Sequence, residues 1–579
     1  MHGKRVNADD IIASVIRAVP VTYSTDMARI LHLPTREWRA DQIEALARAW
    51  TQALRTPDGQ QTLFPVQAQA LAEIYACRGL FGAIKVAGGK TLISFLAFTV
   101  LNAVRPLLIL PAKLEQKTRN ELAQAAKHWR VHRGLRIASY EMLSRDSGVR
   151  FLSEYQPDVV VADEAHRLKN PKAACSKRFA RYMADAPQTL FMPLSGTMMK
   201  DGITDCWHLA KWALREGSPM PINRGAAEEW ACALDWKTKP GARRELGQLM
   251  RLAVQSAEDD LTRARKGFFQ RLTSTPGVIC TAGESGFASI SCEPIVVYPG
   301  PQAQTHFEAL RTRNVNPDGK ALVEAIEVFQ TARQLAMGFH YYLHPTPPAQ
   351  WIFSRGLWAA WARDILSRSH SIDTELHARR AVEDGKYPDA REALEQWKFW
   401  QTQYRGTPQE RWHDYTVLEA CAAWTQKGDP TLVWTEHTAF GRALARRLNV
   451  PFVQGGGLLP NGQLVDTLAG KSHVVLSIDA NGEGRNLQAW HRNLICSPEP
   501  THTLWEQTIG RTDRPGQKAD EIEVGVIVAC TEHERALEQA SGGATMANQM
   551  LGAKQKILEA DWLPIMHDVK KRQANYAFR

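Results

Sequence analysis

A chain of 579 residues is too long for one hydrophobic core and implies several structural units. Its 44% hydrophobic and 23% charged residues suit an ordinary globular protein; no run of about 18 apolar residues is present to cross a bilayer, and the N-terminus lacks the apolar core of a secretory signal. A formal charge of +10 favours a polyanionic partner without naming one, and nine scattered cysteines with no C-x-x-C pair argue against zinc and against a disulfide framework, as expected of a cytoplasmic protein.

Residues 1–60 are expected to form a small helical region, with an amphipathic stretch at 9–18 and apolar residues at helical spacing over 39–54. From about residue 62 the pattern changes. Short apolar runs at 82–86, 106–110, 135–139 and 158–162 alternate with helical segments, which predicts a parallel sheet covered by helices over 61–215. Residues 216–288 are charged and strand-poor, and predict a helical insertion. A strand is expected at 291–298, followed by a tryptophan-rich helical insert within 289–415. There Trp358, Trp361, Trp397 and Trp400 fall at helical spacing, as core residues do, rather than as a platform for stacking bases. A second α/β run over 416–535 has strands expected at 431–435, 472–477, 492–496 and 522–528. Residues 536–579 are expected to be a helical tail ending in Lys570, Lys571 and Arg572. His340, His344 and His413 show no metal-ligand spacing.

Three segments carry chemistry. The first, Ile84-Lys-Val-Ala-Gly-Gly-Lys-Thr-Leu-Ile, reads as a strand, a glycine turn and a helix. Phosphate needs exposed backbone N–H groups at a helix N-terminus, a lysine, and a hydroxyl for magnesium. Gly88, Gly89, Lys90 and Thr91 supply them, the alternative being a glycine turn that only caps a helix. The second is Val159-Val-Val-Ala-Asp-Glu-Ala-His, an apolar strand ending in adjacent carboxylates. Asp163 would hold a metal ion and Glu164 would orient an attacking water. The third, Gln507-Thr-Ile-Gly-Arg-Thr-Asp-Arg-Pro-Gly-Gln, puts Arg511 and Arg514 three apart on one helical face. Permanent charge and a forked donor set suit arginine to a triphosphate.

The order and wording of these segments resemble the Swi/Snf branch of the superfamily-two helicase-like ATPases, over roughly 62–215 and 415–535. The Lys-Asn that follows Asp-Glu-Ala-His-Arg-Leu and the Pro-Gly-Gln after Arg514 carry the likeness most closely. The resemblance implies two RecA-like lobes with parallel sheets, ATP and Mg2+ as cofactors, and a site completed by Gln507, Arg511 and Arg514 from across a cleft. It implies that Gln67 reads adenine, and that Gly482 belongs to a segment linking nucleotide to nucleic acid. Lys113, Ser139, Tyr140, Thr197, Thr435, Gly484 and Asn486 match segments that touch the nucleic-acid backbone or couple it to ATP. Departures stand at Ile84, Ala87, Met198, Asp479 and Asn481. The short length is similar to compact bacterial or bacteriophage members, which implies the cytoplasm of a bacterial or phage-infected cell.

The expected activity is a nucleic-acid-stimulated ATPase that moves along double-stranded DNA without parting its strands. Two alternatives stay open: a strand-separating helicase acting on DNA or RNA, with single-stranded DNA or RNA as a partner, and an inactive nucleic-acid-binding scaffold.

Overall fold

A computed structural model of the chain describes residues 19–85, 88–145, 147–171, 173–238, 242–281, 288–322, 324–369, 372–481, 486–514, 516–552, 555–559 and 561–562. The amphipathic stretch 9–18, Gly482, Gly484 and the basic tail lie outside these residues.

The chain divides into two compact units. The first gathers 1–290, 500–520 and 538–561; the second gathers 291–499, 521–537 and 562–579. In the first unit six strands form one sheet: β1 (Phe81–Ala83), β2 (Pro106–Leu110), β3 (Arg136–Ser139), β4 (Val159–Asp163), β5 (Leu190–Leu194) and β6 (Val278–Cys280). Their order is β3-β2-β4-β5-β1-β6, with every pairing parallel. The strands are continuous apolar runs because both faces are covered. Successive residues alternate between two cores: Leu107, Ile109, Val160 and Ala162 face one, while Leu108, Leu110, Val159 and Val161 face the other. β5 and β6 escape a sequence reading, since Pro193 within β5 argues against a central strand and β6 has only three residues beyond a Pro-Gly turn. β6 lies within the stretch 216–288 expected to be a helical insertion and completes the sheet.

Register explains what the sheet positions. Gly82 and Asp163 both stand opposite Leu194, so the chain leaving β1, β4 and β5 emerges at one edge. Ser139, at the end of β3, stands opposite Leu110, at the end of β2. Ligands of open parallel sheets bind at this carboxyl edge.

The second unit holds β7 (Ser289–Val296), a hairpin of β8 (Phe339–His344) and β9 (Thr407–Trp412), and then β10 (Thr431–Thr435), β11 (Phe452–Val453), β12 (Val474–Ser477), β13 (Arg492–Ile495) and β14 (Glu521–Val528). With β15 (Asp561–Trp562), all but the hairpin form a sheet ordered β11-β12-β10-β13-β14-β7-β15. Its core pairings, β11 to β12, β12 to β10, β10 to β13 and β13 to β14, are parallel. Two parallel α/β lobes thus match the RecA-like expectation. The tryptophan-rich insert runs between β8 and β9 as helices Ala349–Arg368, Glu375–Glu383 and Arg391–Gln403. Trp358 is 2% exposed and donates its indole N–H to Glu375 Oε1 at 2.7 Å, and Trp397 is buried against Trp351. These rings pack helices, as their spacing predicts.

Candidate active site

At the carboxyl edge of the first sheet the helix Lys90–Val100 begins at Gly89, whose φ of 77° is left-handed. A side chain there would be strained, and its Cβ would lie 2.2 Å from Gln67 Nε2. Gln67 is buried. Its Oε1 accepts from Phe64 N–H at 2.9 Å and its Nε2 donates to Gly89 O at 3.3 Å, tying the helix Pro65–Cys77 to the glycine turn. Lys90 is buried and folds back over the turn, with Nζ donating to Ile84 O and Lys85 O at 3.0 Å each. Thr91, half-buried, is in the first helical turn, where the helix dipole favours an anion.

Asp163 ends β4, and its Oδ1 accepts from Glu164 N–H at 3.1 Å. Glu164 has φ 52° and ψ 47°, a left-handed conformation that costs a non-glycine residue about 1–3 kcal/mol and is typical of working sites. Ser195 Oγ donates to Glu164 Oε2 at 3.3 Å, and His166 Nδ1 lies 3.3 Å from that oxygen, 2.9 Å from Ser195 Oγ and 3.2 Å from Thr197 Oγ1. An ionised carboxylate only accepts, so it favours the imidazole proton on Nδ1. Burial and the neighbouring Glu164 raise the Asp163 pKa against the pull of Lys90. For Glu164, burial acts upward but is outweighed by the hydrogen bond from His166, by Lys90, by the charge of His166 and by Arg511, so this carboxylate is held ionised. The two acids are thereby separated in character, one holding a proton more readily than the other.

The third segment joins them. Helix His502–Ile509 stops before the arginines, which follow it in turns. Pro515 disfavours helix at Arg514, so the single helical face predicted for the pair does not form. Arg511 is buried, with Nε donating to Gln507 O at 3.0 Å, and Arg514 Nε donates to Gly510 O at 2.7 Å. Gln507 itself is buried. Within the first unit, Lys90 thus acts on both Asp163 and Glu164, and Arg511 acts on Glu164.

The residues matched to nucleic-acid segments occupy varied places. Lys113 is exposed in the turn after β2. Ser139 is buried and accepts from Met142 N–H, capping the helix Tyr140–Ser144. Tyr140 is buried and donates to Asp163 O at 2.8 Å; burial, Asp163 and Glu164 raise its pKa, which keeps it a phenol. Thr197 is buried within the hydroxyl cluster around His166. In the second unit Thr435 ends β10, buried, with its hydroxyl donating to His437 O, while Asn486 is exposed. His166 and Ser195 carry the network at Glu164; His166 stands inside the acidic run quoted from the sequence, and Ser195 stands two residues before Thr197. Spacing alone did not disclose their convergence.

The oxygen donors suit magnesium, which takes one or two carboxylates plus phosphate oxygens and water rather than a protein cage. Among the described residues no group of three or more His, Cys, Asp or Glu is arranged to hold a metal ion, and no helix is long and apolar enough to cross a membrane.

No protein-family model matches the chain, and no curated protein matches it. Among solved structures the chain is similar to the Sulfolobus solfataricus SWI2/SNF2 ATPase core in complex with double-stranded DNA. The identity is 15%, covering 82% of this chain and 89% of that one, with a TM-score of 0.28. The fold assignment rests on the strand orders above.

Proposed function

We propose that the chain is an ATP hydrolase of Swi/Snf type whose turnover is coupled to movement along double-stranded DNA. The observation that carries this reading is the meeting of Lys90, the Asp163–Glu164 pair and Arg511 in one electrostatic neighbourhood. An isolated glycine turn or acidic strand end would not bring them together.

The roles follow from chemistry. Mg2+, held by the Thr91 hydroxyl and the Asp163 carboxylate, would neutralise charge on the transferring phosphate. Gly88, Gly89 and the first turn of the helix beginning at Lys90 present backbone N–H groups to phosphate. Lys90 exchanges two backbone carbonyls for phosphate oxygens. Glu164, aimed by Ser195 and His166, orients the attacking water and takes its proton. Arg511 and Arg514 stabilise the charge that develops on the phosphoryl oxygens. The resemblance supports duplex DNA as the track, and the charge of +10 supports a phosphate backbone as its main contact.

ATP turnover measured without nucleic acid, and with duplex DNA, single-stranded DNA or RNA, tests the reading. Strongest stimulation by duplex is expected. Preference for RNA or a single strand would move the assignment to a strand-separating helicase, and no turnover under any condition would leave a binding scaffold.

A further inference from the structure

The arginine turn has an anchorage of its own. Asp513 stands between Arg511 and Arg514, and its side chain is 0% exposed. A carboxylate buried so deeply needs a cation. Lys556, 43 residues further along in the short helix Lys556–Glu559, pairs through Nζ with Asp513 Oδ2. The same ammonium lies 3.9 Å from Glu506 Oε1, and the Lys556 backbone N–H donates to Glu506 Oε2 at 2.9 Å. Only 13% of its side chain is exposed, so solvent and salt screen the pair little. Next to it, the buried Gln555 places Oε1 2.9 Å from His502 Nδ1. His502 Nε2 in turn lies 3.1 Å from Lys200 O, just past the Ser195–Thr197 segment that supports Glu164. The helix His502–Ile509 and the turn after it are thus clamped at both ends by one short stretch near the C-terminus.

We propose that Lys556 is a positioning residue for the arginine pair. It satisfies the charge of Asp513 and holds Glu506, so the turn keeps a fixed shape and the Asp513 carboxylate does not draw the flanking guanidinium groups away from phosphate. This inference rests on the reading of Arg511 and Arg514 as phosphate-facing residues. The arginines act on charge that develops in the transition state, so loosening them lowers kcat rather than ATP binding.

The test compares Lys556→Met, which keeps the aliphatic stem, with Lys556→Arg and with the double variant Lys556→Met plus Asp513→Asn. Lys556→Met is expected to lower DNA-stimulated kcat roughly 10- to 100-fold, the range that follows from misplacement by about 1 Å, while KM for ATP stays nearly constant. Arginine at 556, and removal of the opposing charge in the double variant, should each recover most of that loss. An unchanged kcat in Lys556→Met, or a loss that neither variant repairs, overturns the proposal. Hydrogen exchange over residues 502–514 gives a readout independent of turnover: faster in Lys556→Met, normal in Lys556→Arg. Unchanged exchange in Lys556→Met overturns the clamp whatever the ATPase result. A wild-type chain with no turnover, but with exchange that responds to Lys556, would sink the ATPase reading and leave the clamp standing.

Discussion

Glu164 shows how much chemistry one residue can concentrate. Its left-handed backbone, its hydrogen bond from Ser195 and its company of His166, Lys90 and Arg511 all serve to hold an ionised carboxylate in one place. Glu164→Gln keeps the shape and removes the proposed base, so kcat should fall about 100-fold or more while ATP still binds. Single-turnover kinetics and a nucleotide-binding titration check this, and unchanged turnover would remove Glu164 from the role. Gly89 is constrained differently. Alanine there would meet Gln67 and hold a φ of 77°, at about 1–2 kcal/mol for the backbone alone. Gly89→Ala should therefore weaken nucleotide binding and lower Tm, measured by titration and thermal melting. At this scale the candidate residues were legible, because the proposed phosphate, metal and water chemistry demands particular side chains at fixed spacing. The network around His166 was not, because it joins residues from the ends of two different strands.

At the scale of elements, apolar runs predicted β2 and β10 to the residue, since both lie buried on both faces. They missed β5, whose Pro193 is a poor strand former, and extended the arginine helix past Ile509, where it ends. Of the tryptophans read as helix packing by their spacing, Trp358 and Trp397 are buried, while Trp361 and Trp400 are half-buried. Trp358→Ala should cost about 3–5 kcal/mol in chemical denaturation, with the affinity of the folded fraction for nucleic acid intact. Lost affinity at retained stability would instead indicate base stacking.

For the whole molecule, two predictions depend on summed charge and burial. Burial, with Arg333 and His437 nearby, holds His533 down to about 3; burial, with His306, His340 and Arg411, holds His413 down to about 4. Below the ordinary histidine pKa of 6.5 the unfolded chain takes up protons that the folded chain refuses. Stability contributed by these groups is therefore complete above about pH 6.5 and falls progressively toward pH 4 and below, which urea titrations across pH will register. Affinity for duplex DNA should fall steeply with salt and vary little with sequence, as counterion release requires. A flat salt dependence would argue against backbone tracking.

The two α/β runs were legible in the sequence, since buried strands restrict local residue choice, and the glycine turn, the acidic pair and the arginines stood out there as candidates for the proposed phosphate chemistry. Three facts came from the fold alone: Gly82 and Asp163 share a register against Leu194, residues 500–520 pack with the first unit, and Lys556 neutralises a carboxylate 43 residues away. Such facts depend on pairing between strands and on where a buried charge finds its partner, and no local pattern encodes either.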